Sequence, residues 1–152
     1  MKLLFSLPNP EFTLLIYSLL IIPVLLIPKI CYLDTLQNTL KAISVENRKM
    51  PVTNVWLLLI PFFATVLHFF IVDKMAQSIY AEAVSKNIAI AETRPAYTIG
   101  LAMCILNCLF IIPVLNVFAM IAYVVCWIIY WTKIAAYKNE LLKQLMPDDF
   151  LK

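Results

Sequence analysis

Four stretches of this chain contain no acidic residue: Phe12–Ile27, Val55–Val72, Tyr97–Leu115 and Val117–Ile134. Each is roughly 16–19 residues long, near the lower bound for crossing a hydrocarbon core of ~30 Å. The first extends through Tyr32 if Lys29 snorkels to the interface. All nine acidic residues lie outside these runs, and among basic residues only Lys133 intrudes, in the last turn of the fourth. The chain has 152 residues, of which 63% are hydrophobic and 14% charged. A soluble domain of this size leaves too much of its surface exposed to hide such a composition. Lipid is therefore the expected solvent, in keeping with a mean hydropathy of +0.89. The expectation is an all-α polytopic membrane protein. A single transmembrane domain would hold a bundle of four helices at 12–32, 55–72, 97–115 and 117–134, with flanking amphipathic helices that include the tail 135–146.

Ring placement agrees with these boundaries. Tyr32 follows the first run, Trp56 and Tyr97 open the second and third, and Trp127, Tyr130, Trp131 and Tyr137 cluster where the fourth ends. Such amphipathic rings favour the headgroup level. With four crossings, the N-terminus, second loop and C-terminal tail share one side. They carry Lys2, Lys74, Lys86, Arg94, Lys133, Lys138, Lys143 and Lys152, against Lys29, Lys41, Arg48 and Lys49 on the other. The positive-inside rule then puts both termini in the cytoplasm of a bacterial-type inner membrane. The start, MKLLFSLPNPEF, is broken by Pro8 and Pro10 and does not read as a signal peptide.

Three segments beside the runs have helical periodicity. Leu33, Leu36, Leu40 and Ile43 form one stripe; Val72, Met75, Ala76, Ile79 and Ala83 form a second; Ile134, Tyr137, Leu141 and Leu145 form a third. The simpler expectation is packing along the interface, and the sharper one is docking to a partner protein.

Pro23 and Pro61 fall inside runs, where a proline removes a backbone donor and kinks a helix. In the third run Gly100, Cys104 and Cys108 stand four residues apart. That small-residue ridge allows another helix to approach closely. Intrachain packing against the fourth run, across a turn near Val114-Leu115-Asn116, is the default, and homodimerisation the runner-up. Asn107, about 15 Å into the third run, is placed to bond across to another helix.

Chemistry has little to work with. His68 is the only histidine, Cys31, Cys104, Cys108 and Cys126 form no C-x-x-C pair, and no carboxylate lies within a run, so no metal or cofactor site is expected. No deep charge offers a proton relay, and phosphate-loop, H-E-x-x-H and G-x-S-x-G patterns are absent. A net charge of +3 without a basic stripe gives no support for nucleic-acid binding.

Trp56 followed by Ile60-Pro61-Phe62 resembles the W-x-x-x-I/V-P pattern of an uncharacterised family of bacterial four-span membrane proteins. The segment VDKMAQSIYAE, the lead-in Arg94-Pro95-Ala96-Tyr97 and the exit WIIYW are also similar to such proteins, over about residues 12 to 140. The resemblance implies a four-helix fold and no known activity. The expected function is a small non-enzymatic integral subunit or scaffold. It would sit in the lipid bilayer with other integral membrane proteins or with itself. A transporter or channel for a small solute is the alternative, and it would need a hydrated cavity near Asn107 and Pro61.

Overall fold

The computed structural model describes residues 10–90, 92–110 and 112–145. Lys2, Ile111, Met146 and Lys152 therefore lie outside the described residues. Every regular element among the described residues is helical: α1 (Pro10–Ala42), a 3-10 helix (Val52–Leu59), α2 (Pro61–Ser85), α3 (Tyr97–Leu109) and α4 (Asn116–Leu145). Two of these are long and apolar enough to cross a membrane, Glu11–Ala42 in α1 and Asn116–Lys143 in α4.

The all-helical class is as expected, but only two candidate spans stand among the described residues, so a bundle of four spans is not confirmed. The second apolar run is broken at Ile60, which is extended at φ −81° and ψ 107°. A residue preceding proline is pushed out of the α region, whereas proline is preorganised for the first helical position. Pro61 accordingly opens α2 rather than kinking a continuous span. The apolar part of α2 that remains, Pro61–Val72, reaches only about 18 Å. The third run stops after 13 residues at Leu109, about 20 Å of helix. Pro23 does lie inside a helix, together with Pro28 in α1.

The chain divides into two compact units, Met1–Tyr32 and Leu33–Lys152. In the first, Leu14, Leu15, Ile16 and Tyr17 are all exposed. Four consecutive residues cover a full helical turn, so this stretch is apolar all round and buries no face within its unit.

The second unit has a packed core, and the three periodic stripes supply it. Leu33, Leu36, Leu40 and Ile43 are buried; so are Val72, Met75, Ala76, Ile79 and Ala83; so are Ile134 and Leu141. These segments are continuations of α1, α2 and α4 rather than separate helices lying along an interface. Full burial of such a side chain contributes about 1.5–3 kcal/mol, which holds the unit together without any disulfide. None of Cys31, Cys104, Cys108 and Cys126 forms a disulfide.

α3 packs against both α2 and α4. Asn107 meets Thr65 and Gly100 meets Val72, so seven residues up α2 correspond to seven residues down α3. Those helices are antiparallel. On the other side Gly100 lies against Tyr130 and Phe110 against Tyr123, which makes α3 and α4 antiparallel as well. Their connection runs from Phe110 to Leu115 and contains Pro113. One end of this three-helix layer is therefore formed by Pro61, Leu109 and Asn116, and the other by Asp73, Tyr97 and Lys133.

Candidate functional site

The described charged residues of the second unit gather at one of those ends. None occurs between Pro51 and Val72 or between Tyr97 and Thr132. At the charged end two carboxylates organise the loops.

Glu82 is fully buried, on the same face of α2 as Met75 and Ile79. Its Oε1 accepts from Ser44 Oγ at 2.8 Å and lies 2.6 Å from Lys86 Nζ, while Oε2 accepts from Asn47 Nδ2 at 2.6 Å. Burial pushes the carboxyl up. The Lys86 ammonium and the Asn47 and Ser44 donors together outweigh that push and hold it at about 2. Asn47 Nδ2 also reaches Ser85 Oγ at 2.9 Å, and the Lys49 amide donates to Ser78 Oγ at 2.9 Å. Arg48 turns back to donate to the carbonyls of Ile43 and Lys41 at 2.9 and 3.1 Å, satisfying the frayed end of α1. α2 itself ends in a Schellman motif. Asn87 adopts φ 53°, its amide donates to Val84 O, and the amide of Ile88 donates to Ala83 O.

These bonds join the loop after α1 to the polar half of α2. A four-crossing chain would hold those two segments on opposite membrane faces, about 30 Å apart. Here they share hydrogen bonds, so the expected alternation does not describe this unit.

Glu92 organises the second cluster. Oε2 accepts from the Ala96 amide at 2.9 Å and Oε1 from Lys133 Nζ at 2.6 Å. Lys133, and then the Ala96 amide, hold this carboxyl below the usual carboxylate range against a smaller upward push from burial. Ala96 adopts φ 58° at the start of α3, a left-handed conformation that costs a residue with a side chain on the order of 1 kcal/mol. The Glu92 bond and the Gly100 amide, which donates to Ala96 O at 3.0 Å, hold it there. Nearby, Arg94 stacks on the Tyr97 ring at 4.8 Å and lies 3.9 Å from Asp73.

Within the layer, Gly100 is the closest packing point. A Cβ there would come within 2.5 Å of Val72 Cγ1 and 2.8 Å of Tyr130 Cε2. Gly100 and Cys104 are buried, but Cys108 is exposed, so only the first half of the small-residue ridge lies in the interface. Asn107 Nδ2 donates to Thr65 Oγ1 at 3.1 Å, tying α3 to α2. Two tryptophans also bond within this unit, Trp131 Nε1 to Thr35 Oγ1 at 2.8 Å and Trp56 Nε1 to Gln37 Oε1 at 3.1 Å. Tyr130, expected among the headgroup-level rings, is fully buried against Gly100.

Sequence reasoning passed over Glu82 and Glu92, and it placed Tyr130 among the headgroup-level rings rather than in the core. For Glu82 a signal was present, an acid at stripe spacing from Met75 and Ile79. For Tyr130 the signal was weaker, the sole glycine lying about as far before the turn as Tyr130 lies after it.

His68 is buried in α2, and among the described residues no three His, Cys, Asp or Glu side chains gather into a group that could hold a metal ion. No family model, curated protein or solved structure matches the chain.

Proposed function

We propose that this chain is a small, non-enzymatic integral membrane subunit or scaffold, assembled with other integral membrane proteins or with a second copy of itself. The observation that supports this most is how the polar side chains of the helical unit are used. Glu82, Ser44, Asn47, Ser78, Glu92, Lys133, Thr65 and Asn107 each form a bond that ties one segment to another. Such groups build a rigid body. A catalytic site would instead need convergent groups held ready for substrate. Asn107, the residue that would mark a solute path, directs its amide donor to Thr65. The similarity of the Trp56–Phe62 stretch to uncharacterised bacterial membrane proteins belongs with this reading and adds no activity to it.

We place the charged end at the cytoplasmic face of an inner membrane. Lys41, Arg48 and Lys49 lie there with Lys74, Lys86, Arg94, Lys133, Lys138 and Lys143, which strengthens the positive-inside argument. With two candidate spans rather than four, the arrangement with both termini cytoplasmic has no support from the helices. Accessibility of a cysteine at Lys138 to a membrane-impermeant maleimide tests the orientation: labelling from outside intact cells reverses it.

The function is tested by purification from native membranes in mild detergent, with mass spectrometry of the intact assembly. A stoichiometric companion, or a defined homo-oligomer, is expected. A lone monomer that carries a solute into liposomes would overturn the scaffold reading in favour of transport.

A further inference from the structure

The connection between α3 and α4 reads Phe110-Ile111-Ile112-Pro113-Val114-Leu115, followed by Asn116, Val117 and Phe118. Turns that face water are built from Gly, Asn, Asp, Ser and Pro. This one has a single polar residue and sits at the end of the helical unit away from the described charges in it. Five of its described side chains are exposed: Val114 at 83%, Phe118 at 75%, and Ile112, Leu115 and Val117.

We propose that this turn is a re-entrant membrane tip. α3 and α4 enter and leave the bilayer through the same charged face, and the chain reverses inside the hydrocarbon against lipid acyl chains. The inference rests on the membrane reading above. Length is the first argument. From Lys133 to Asn116 α4 reaches about 25 Å, and α3 about 20 Å, against a core of ~30 Å. With Lys133 and Glu92 at one headgroup layer, the turn ends short of the other.

The backbone is the second. Irregular chain is tolerated in lipid only where its polar groups are satisfied internally. Here the Phe110 amide donates to Asn107 O, Ile112 to Leu109 O, Leu115 to Ile112 O and Ala119 to Leu115 O, at 2.8 to 3.4 Å. Pro113 has no donor to satisfy. These bonds satisfy the amides of Phe110, Ile112, Leu115 and Ala119 within the chain, the kind of pairing a segment without water favours.

The third is charge segregation. Basic side chains outnumber acidic ones at the opposite end of the unit, which suits an anionic headgroup surface, while nothing near the tip would hold it in the far headgroup layer.

The test uses the full chain in liposomes of phosphatidylethanolamine and phosphatidylglycerol. Cys31, Cys108 and Cys126 are replaced by alanine, buried Cys104 is kept, and a nitroxide is attached at Val114→Cys, with Val117→Cys as a second position and Lys138→Cys as the reference. Collision with oxygen should be high and collision with a water-soluble nickel chelate several-fold lower than at Lys138. Nickel access at Val114 from the face opposite Lys138 would mean a complete crossing and overturn the proposal, leaving the membrane reading intact. Protection from both reagents would mean a protein partner covers the tip, and would overturn it too. Failure of the protein to float with the liposomes would remove the membrane reading itself.

Discussion

The two halves of α1 have similar helical geometry and opposite fates. Residues 14–17 expose four consecutive large side chains, with Leu14 at 69%, whereas Leu33, Leu36 and Leu40 a few turns later are wholly buried. The earlier half has more apolar residues, not fewer. What differs is arrangement: Leu33, Leu36 and Leu40 alternate with Asp34, Thr35, Gln37 and Asn38, so one face is apolar and the other polar. A helix that is apolar all round has no preferred side to pack and needs lipid or a partner for every face. A striped helix has one side to bury, and folding the chain on itself buries it. In this molecule, hydrophobic amount marks the exposed half of the helix and hydrophobic pattern marks the core.

The largest test of that contrast is Gly100→Leu. With no room even for a Cβ between Val72 and Tyr130, the layer must separate, at a cost of about 3 kcal/mol or more. Loss of the cooperative near-ultraviolet circular dichroism transition in detergent is expected. Leu19→Ala, in the exposed half of α1, should leave that transition within ~0.5 kcal/mol. Equal effects of the two substitutions would erase the distinction between the halves.

Next in size is Glu82→Ala, which leaves Ser44 and Asn47 without their acceptor and Lys86 without its counter-ion. Breaking a buried pair costs about 3–5 kcal/mol, and partial exposure of Lys86 brings the expected loss to roughly 2–3. The pH dependence has a definite sign. Because the folded carboxyl is held at about 2, below its ordinary value of 4.5, its contribution is complete above pH 4.5 and is lost as pH falls towards 2. A melting temperature that drops over this range, and does so less in Glu82→Gln, is the expected result. Parallel acid titrations of the two proteins would assign the loss to other carboxylates.

A smaller effect is expected of Thr65→Val. The bond to Asn107 should be worth about 1 kcal/mol, measured as the coupling in a double-mutant cycle with Asn107→Leu. Smallest is Lys133→Met. The pair with Glu92 is short, but its members are 37% and 40% exposed, so no more than ~1 kcal/mol should be lost, and less in high salt. A larger loss would mean that the Ala96 conformation depends on this ion pair.

Much of the architecture is legible in the residues themselves. The helical class, the absence of charge from the apolar runs and all three core-forming stripes follow from local preference and solvent affinity, which sum along a segment. The break at Ile60 was also written in the chain, as the effect of Pro61 on the residue before it, although a proline in a long apolar run invites the reading of a kink. Glu82 was readable in part, by its spacing from Met75 and Ile79.

Other features required the helices to be brought together. Whether the loop after α1 shares a face with α2 depends on Ser44 and Asn47 finding Glu82 across 35 or more residues of chain. Tyr130 belongs to the core because the antiparallel register of α3 and α4 sets it over the one residue without a side chain. Solvent preference is additive and local, so sequence alone determined that this chain is helical, apolar and charged in separate zones. Register and side are relations between distant segments, and only the tertiary structure decided them.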